Sequence, residues 1–155
     1  MRKRTCVYLV LKGFSCGSTL GLVEPMRSVK MSEPEKPRAQ LVMERYWEEV
    51  NNQGQVELIR ELCADPITRH DPEKVTELSH DEQIARVRFG IEQMNVKISN
   101  VLVHADETTV TGIWNMTMVA DGKDVKMCGI EVFRLDDEGR LAHCWNTPYA
   151  QGHWA

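Results

Sequence analysis

The strongest constraint on the fold of this chain is a change in hydrophobic period near residue 96. Before that point apolar residues recur every three or four positions, as in amphipathic helices, and beyond it they alternate, as in half-buried strands. Helices grouped ahead of a run of strands are typical of an α+β domain. A chain of 155 residues has room for one core of this kind. We therefore predict three helices packed against one curved antiparallel sheet around a single apolar pocket.

Three segments carry the helical pattern. Residues 41–50 place an aromatic pair, Tyr46 and Trp47, on one stripe, and residues 55–63 form a shorter amphipathic helix after Gly54. The third helix begins at a capping box, Ser-His-Asp-Glu at 79–82, and runs to about residue 94. Residues 67–72 are predicted to be an extended connector, because residues before proline avoid the helical region, and this connector carries His70 and Asp71.

Four strands are predicted after the third helix. Alternation covers residues 96–104, 108–119, 124–135 and 140–147, and the breaks at 105–107, 121–122 and 136–139 have the length of hairpin turns. Consecutive strands should therefore pair antiparallel.

Composition excludes several classes of protein. The net charge is −4 and the nineteen Lys and Arg residues form no basic stripe, so nucleic acid is not an expected partner. No window approaches the roughly 20 consecutive apolar residues that a membrane span needs. Five cysteines without a Cys-x-x-Cys pair favour a reducing, cytoplasmic location over a disulfide framework. The histidines lack metal-ligand spacing, so no metal site is expected.

The first 38 residues differ from the rest. They open with a basic stretch and an apolar run that Lys12 interrupts, and a polar, proline-bearing segment follows from Met31. We interpret residues 1–38 as a disordered tail or an over-extended start, and residues 39–155 as the folded domain.

One acidic residue falls on the apolar side of the third predicted strand. Glu131 shares a face with Val125, Met127, Phe133 and Leu135, while the opposite face carries Lys126 and Arg134. An unpaired buried carboxylate would be several kcal/mol unfavourable, so such a group keeps its proton, finds a donor or serves a function. The alternative is that a bulge reverses the faces and leaves Glu131 in solvent or paired with an arginine.

The second strand supplies a matching apolar face. Val110, Gly112, Trp114, Met116 and Met118 alternate there, and Gly112 leaves room where a curved sheet must bend. These side chains either line a cavity or simply fill the core.

From about residue 40 onward the order of elements resembles the nuclear transport factor 2-like superfamily, which includes ketosteroid isomerases and SnoaL-like polyketide cyclases. The likeness rests on MERYWEEV at 43–50 with the Gly54 turn, CADPITRHDP at 63–72, and GIEVFRLDDEGRLAHCW at 129–145. The resemblance implies a cone-shaped curved sheet wrapped around the N-terminal helices, a small apolar ligand at the open end, and a homodimer formed through the sheet.

The resemblance also implies a site. It places Tyr46, Asp71 and Glu131 at the isomerase positions of phenol donor, general base and protonated pocket acid, and no cofactor is needed. The candidate substrate-binding residues are Trp114, Met116, Phe133, Trp145 and His70. Two departures exist: the isomerases have Asp where Glu131 stands, and Asn146 follows Trp145 where SnoaL-like cyclases have an acid–base Asp.

Two main functions remain open from the sequence, beside a third, protein recognition through an exposed apolar patch near the sheet. The first is an isomerase- or cyclase-type enzyme that abstracts a proton beside the ketone of a small steroid- or polyketide-like molecule. The second is a non-catalytic binding or dimerisation module, since one scaffold hosts many functions. In that case Tyr46 is a core aromatic and Asp71 only shapes a turn.

Overall fold

The computed structural model describes residues 35–149 and 151–155 of the chain. The helices are α1 (Arg38–Arg45), which continues as a π-helical segment (Tyr46–Asn52), then a 3₁₀ turn (Val56–Leu58) leading into α2 (Ile59–Leu62), and α3 (His80–Met94). The strands are β1 (Cys63–Asp71), β2 (Lys74–Leu78), β3 (Lys97–Ala105), β4 (Thr109–Ala120), β5 (Lys123–Leu135) and β6 (Leu141–Tyr149).

The π-helical segment sets the position of the first-helix side chains. Its wider turns are closed by bonds such as Gln53 N–H to Glu48 O, at 2.9 Å, and the Asn51 side-chain amide donates to Tyr46 O, also at 2.9 Å. Short π-helical stretches are rare and often lie at functional sites. Here the segment directs Tyr46, Trp47 and Asn51 towards one cavity.

The capping box predicts the start of α3 correctly. Ser79 is the N-cap, its side chain accepts from the Glu82 N–H, and the Glu82 carboxylate accepts from the Ser79 N–H at 2.9 Å. The helix ends at Asn95, a residue that tolerates the left-handed conformation found there (φ 48°). Between these ends α3 buries Gln83, Ile84 and Val87 against the rest of the fold.

The sheet has six strands in the order β2-β1-β6-β5-β4-β3. The three hairpins predicted from alternation are present and antiparallel, with Val110 opposite Phe133 and Gly112 opposite Glu131 between β4 and β5. Asp121 and Gly122 join β4 to β5 with positive φ at both positions, as a tight hairpin turn requires. The α+β class and the curved sheet with three helices are thus confirmed.

The sequence prediction is wrong for residues 63–78 in two respects. The predicted connector is a strand, β1, that forms a hairpin with β2, and β1 pairs parallel with β6, so the sheet is mixed and not purely antiparallel. Pro66 and Pro72 hide the alternation of β1, and its partner strand is about 75 residues away, with Arg69 next to Cys144. A local pattern does not reveal such a pairing.

The core lies between the helices and the inner face of the sheet. Its largest fully buried side chains include Met43, Ile59, Ile67, Phe133 and Leu141. No helix in the described part of the chain has the length and apolar character to cross a membrane. The predicted tail, apart from residues 35–38, lies outside the described residues.

Two glycines of the sheet make room for two tryptophans. A Cβ atom on Gly112 would overlap the six-membered ring of the Trp47 indole, and a Cβ atom on Gly129 would overlap that of Trp114. Both indoles are buried, and each lies against the backbone of its glycine. Gly112 lies opposite Glu131 in the β4–β5 ladder, so the same contact holds Trp47 over that carboxyl group.

Replacing Gly112 by Ala should lower the free energy of unfolding by about 1–3 kcal/mol, because a buried ring has little space to move away. Denaturant unfolding checks this value. Gly90→Ala is the matched control: its Cβ would meet only Val96 Cγ2, at 3.6 Å, and alanine is favoured over glycine inside a helix by roughly 0.5–1 kcal/mol. Equal stability of Gly112→Ala and the wild type would contradict the packing described here.

Candidate active site

A cavity of about 290 Å³ lies between α3, the π-helical segment and the inner face of the sheet. Its volume is near the lower end of the range for small-molecule sites. Apolar residues form most of its wall: Val87, Phe89, Gly90, Ile91, Met94, Val96, Ile98, Trp114, Met116 and Met118. Its polar lining comes from Tyr46, Trp47, Asn51, Arg69, Arg86, Glu131 and Asn146.

Glu131 lies on the inner face of β5, as strand alternation predicts, and is 8% exposed. One carboxyl oxygen accepts from the Trp47 indole N–H at 3.2 Å, and the other accepts from the Cys144 thiol at 3.1 Å. Two donors therefore fix the plane of the carboxyl group. Glu131 is also part of the cavity lining.

Burial raises the pKa of Glu131 above its ordinary value near 4.5, since removal from water disfavours the charged form. The Cys144 hydrogen bond, the charges of Arg69 and Arg86, and the Trp47 hydrogen bond oppose that rise without cancelling it. The protonated form is thus favoured more than in water, and a protonated carboxyl group can donate a hydrogen bond to a ligand.

Tyr46 supplies a phenol group to the same cavity. Its ring is buried against Phe133, with the ring centres 5.8 Å apart, and its hydroxyl oxygen accepts from the Gln83 side-chain amide. Burial raises the pKa of Tyr46, so the phenol keeps its proton. Arg86 Nε in turn donates to Gln83 Oε1 at 3.2 Å, which fixes the amide orientation. The hydroxyl proton of Tyr46 remains available to an acceptor in the cavity.

Asp71 shares a row of the sheet with Glu131. The ladder pairs His70 with Trp145 and Glu131 with Asn146, so continuing β1 by one residue sets Asp71 beside Asn146. Two strand spacings then separate Asp71 from Glu131, roughly 10 Å. The Asp71 side chain is about one-third exposed and is ion-paired with Arg69 at 3.0 Å. Asp71 itself is not among the residues that line the cavity.

Three of the residues predicted to bind substrate lie away from the cavity wall. His70 stacks on Trp145, with 4.4 Å between ring centres, and its Nε2 is 3.2 Å from Nδ1 of His143. Trp145 is 37% exposed and has Arg134 over its ring. These side chains form a cluster on the outer face of the sheet. Phe133 faces inward but packs in the core against Tyr46. Trp114 and Met116 line the cavity.

Among the polar residues of the cavity, five were not identified from the sequence as members of the site: Trp47, Asn51, Arg69, Arg86 and Asn146. The sequence could have indicated Arg69, because it precedes Asp71 by two positions and therefore lies on the same face of a strand. The indication for Arg86 is weaker, since it lies next to the inward-facing Val87 on α3. Asn146 contains a buried side-chain oxygen without a hydrogen-bond partner among the described residues, and the Trp114 indole N–H likewise has none.

Metal binding has no support in the described part of the chain, where no group of three His, Cys, Asp or Glu side chains could hold an ion. The polar groups of the cavity are the acids Tyr46 and Glu131, two guanidinium groups, two side-chain amides and the Trp47 indole N–H. Such a set can bind an oxygen atom and move a proton.

Residues 43–144 match the model of the SnoaL-like domain, so the chain belongs to the SnoaL-like family. The predicted resemblance is confirmed on about two-thirds of the sequence. Among curated proteins, none matches this chain.

Solved structures with the same fold include three of interest. A candidate polyketide cyclase from Acidithiobacillus ferrooxidans is 22% identical, with a TM-score of 0.64 over 75% of this chain and 91% of that one. SalBIII, an epoxide hydrolase/cyclase-like enzyme of pyran ring formation in the polyether salinomycin, is 20% identical, with a TM-score of 0.64 over 76% and 96%. RV0760c from Mycobacterium tuberculosis, in complex with estradiol-17beta-hemisuccinate, is 12% identical, with a TM-score of 0.63 over 72% and 93%. These likenesses establish the fold.

Proposed function

We propose that this protein is a cofactor-independent enzyme of the isomerase or cyclase type, which removes a proton beside the ketone of a small, largely apolar molecule. The observation that carries the proposal is Glu131, a buried acid with a raised pKa on the wall of an apolar cavity. A second neutral acid, Tyr46, lines the same cavity. Perturbed acids in clefts are associated with catalysis.

Tyr46 and Glu131 act on the oxygen of the substrate. Both donate hydrogen bonds to the ketone oxygen, and both bonds strengthen as that oxygen becomes an enolate, because charge develops there. The Trp47 N–H and the Cys144 S–H hold the Glu131 carboxyl group, and Gln83 holds the Tyr46 hydroxyl group, so the donors need little reorganisation.

Asp71 acts as the general base in this proposal. It lies in the same row of the sheet as Glu131, with Asn146 between them, so a small molecule that lies across Asn146 can contact both acids. The Arg69 guanidinium fixes the carboxylate at the end of β1. From there Asp71 takes the α-proton directly or through one water molecule.

The related structures add support from outside the chain. A candidate polyketide cyclase and an epoxide hydrolase/cyclase-like enzyme of pyran ring formation share the fold, as does RV0760c in complex with estradiol-17beta-hemisuccinate. A homodimer stays a prediction; Ile130 and Trp145, both exposed on the outer face of the sheet, suit an apolar contact between two copies.

The wild-type protein should accelerate exchange of the α-protons of 2-tetralone with deuterium in D₂O. The exchange reports enolisation without requiring the natural substrate: a carboxylate takes a proton, and solvent deuterium is returned to the same carbon. Proton NMR measures the loss of the α-signals relative to a buffer blank. We expect inhibition by 2-naphthol, a phenol that resembles the enolate and should bind to the same donors.

Absence of exchange in excess of the buffer rate, with 2-naphthol still bound, would favour the non-catalytic binding module. Absence of both exchange and binding would reject the cavity as a ligand site. A useful control is bovine serum albumin at equal concentration, which binds such compounds without an arranged acid and base.

A further inference from the structure

The two arginines of the cavity differ in how their charges are neutralised. Arg69 is ion-paired with Asp71 at 3.0 Å, and its side chain is 13% exposed. Arg86 has one hydrogen bond, from Nε to Gln83 Oε1, and forms no ion pair with any described residue. Its terminal nitrogens are therefore not engaged by the described part of the protein.

No described acid of the cavity forms an ion pair with Arg86. Arg69 and Asp71 are paired with one another, and burial raises the pKa of both Tyr46 and Glu131, which disfavours their charged forms. An arginine side chain keeps its positive charge. Arg86 is thus a cation without an ion-pair partner among the described residues, beside a wall made mostly of apolar side chains.

Arg86 lies where a charged group of a ligand can stay partly in water. It is an exposed residue of α3, as is Phe89 one turn later, and both contribute to the cavity lining. Ile91, Met94 and Met116 line the wall further along and are at most partly exposed. An elongated ligand with an apolar body and a charged end would fit this gradient.

We propose that the ligand of this cavity is an amphiphilic acid, whose carboxylate group binds the guanidinium group of Arg86 while its apolar body fills the cavity. The inference rests on the proposed function, because it concerns the ligand of the same site. The inference adds the class of substrate to the proposed function: a carboxylic acid that also carries a ketone. A guanidinium group binds a carboxylate through two parallel hydrogen bonds, which also fixes the orientation of the ligand.

The test compares two probes of the same shape on the full-length protein, by isothermal titration calorimetry at pH 7. 2-Naphthoate carries a carboxylate, and 2-naphthamide replaces it with a neutral amide. The wild type should bind 2-naphthoate about tenfold more tightly, a modest factor because Arg86 is exposed and water screens the pair. The advantage should shrink at high salt concentration.

Arg86→Gln should remove the preference, by weakening 2-naphthoate binding about tenfold and changing 2-naphthamide binding less than twofold. Arg86→Lys keeps the charge without the paired donors and should lose only part of the preference. Arg88→Gln is the matched control: Arg88 is exposed on the same helix, is ion-paired with Glu57 and does not line this cavity, so both affinities should remain unchanged.

The outcomes separate the two proposals. If the wild type binds both probes equally, or Arg86→Gln weakens both equally, the carboxylate inference is rejected while the cavity and its acids remain. If neither probe binds the wild type, the cavity is not a ligand site and the proposed function fails with it. Loss of 2-naphthoate binding in Arg88→Gln would mean that the carboxylate binds at Arg88, outside this cavity, and would reject the inference.

Discussion

Replacing Glu131 by Met should lower kcat for 2-tetralone exchange by about 10²–10³-fold, the usual effect of removing one donor from an oxyanion site. Methionine has a similar length and removes the acid without leaving a large void. Glu131→Gln should be intermediate, because an amide N–H can still donate but is a weaker acid. Binding of 2-naphthol by the Gln variant should weaken in parallel, since the phenol uses the same donor.

Full activity in both variants would remove Glu131 from the mechanism. The Gln variant guards against a folding failure in the Met variant, because its amide oxygen can still accept from the Trp47 N–H. A matched control is Glu107→Gln, at the β3–β4 turn, where the side chain is exposed and does not line the cavity. That substitution should leave exchange unchanged.

The raised pKa of Glu131 also predicts how stability depends on pH. A carboxyl group whose pKa is higher in the folded than in the unfolded state stabilises the fold most below its unfolded pKa, near 4.5, and loses that contribution as pH rises through the folded pKa. Subtracting the wild-type free energy of unfolding from that of Glu131→Gln cancels the pH dependence that the other titratable groups contribute. The difference should therefore shift in favour of the variant as pH rises above about 4.5, the ordinary pKa of this group. A pH-independent difference would mean that burial does not perturb this group.

The parts of the fold that follow from local pattern could be predicted. Alternation in 124–135 and the Asp121–Gly122 turn specify a hairpin among neighbouring residues, and a capping box marks the first turn of α3 without reference to any other element. The β1–β6 pairing could not be predicted this way, because it depends on two segments that meet only after the intervening chain has folded. Pro66 further masks the strand.

The site likewise has features that local sequence pattern predicts and features that depend on distant segments of the chain. Strand parity is enough to turn Glu131 inward, because the side-chain period of a strand is two. What holds Glu131 there is a Trp47 indole from 84 residues earlier, and its position over Gly112 depends on how the first helix crosses the sheet. The charge on Arg86 matters only because α3 packs along the cavity, a relation that the helical pattern does not contain. His70 and Trp145 have the opposite parity and meet on the outer face.

Asp71→Asn should reduce 2-tetralone exchange by about 10²–10⁴-fold, the range for loss of a general acid or base, while 2-naphthol binding changes less than twofold. The reason is that asparagine keeps the shape of the side chain but cannot accept the proton. Stability should fall by no more than about 1 kcal/mol, because the lost ion pair with Arg69 is partly exposed on the Asp71 side.

Two further variants separate a base from a residue that only positions Arg69. Arg69→Met removes the ion pair and leaves the carboxylate, so it should retain more exchange activity than Asp71→Asn if the carboxylate takes the proton. Glu77→Gln, an exposed acid on the neighbouring strand β2, should be fully active. Equal losses in Asp71→Asn and Arg69→Met would make Asp71 a positioning residue. If Asp71→Asn exchanges protons at the wild-type rate, Asp71 is not the general base. Tyr46 and Glu131 would then remain only as hydrogen-bond donors to the ligand.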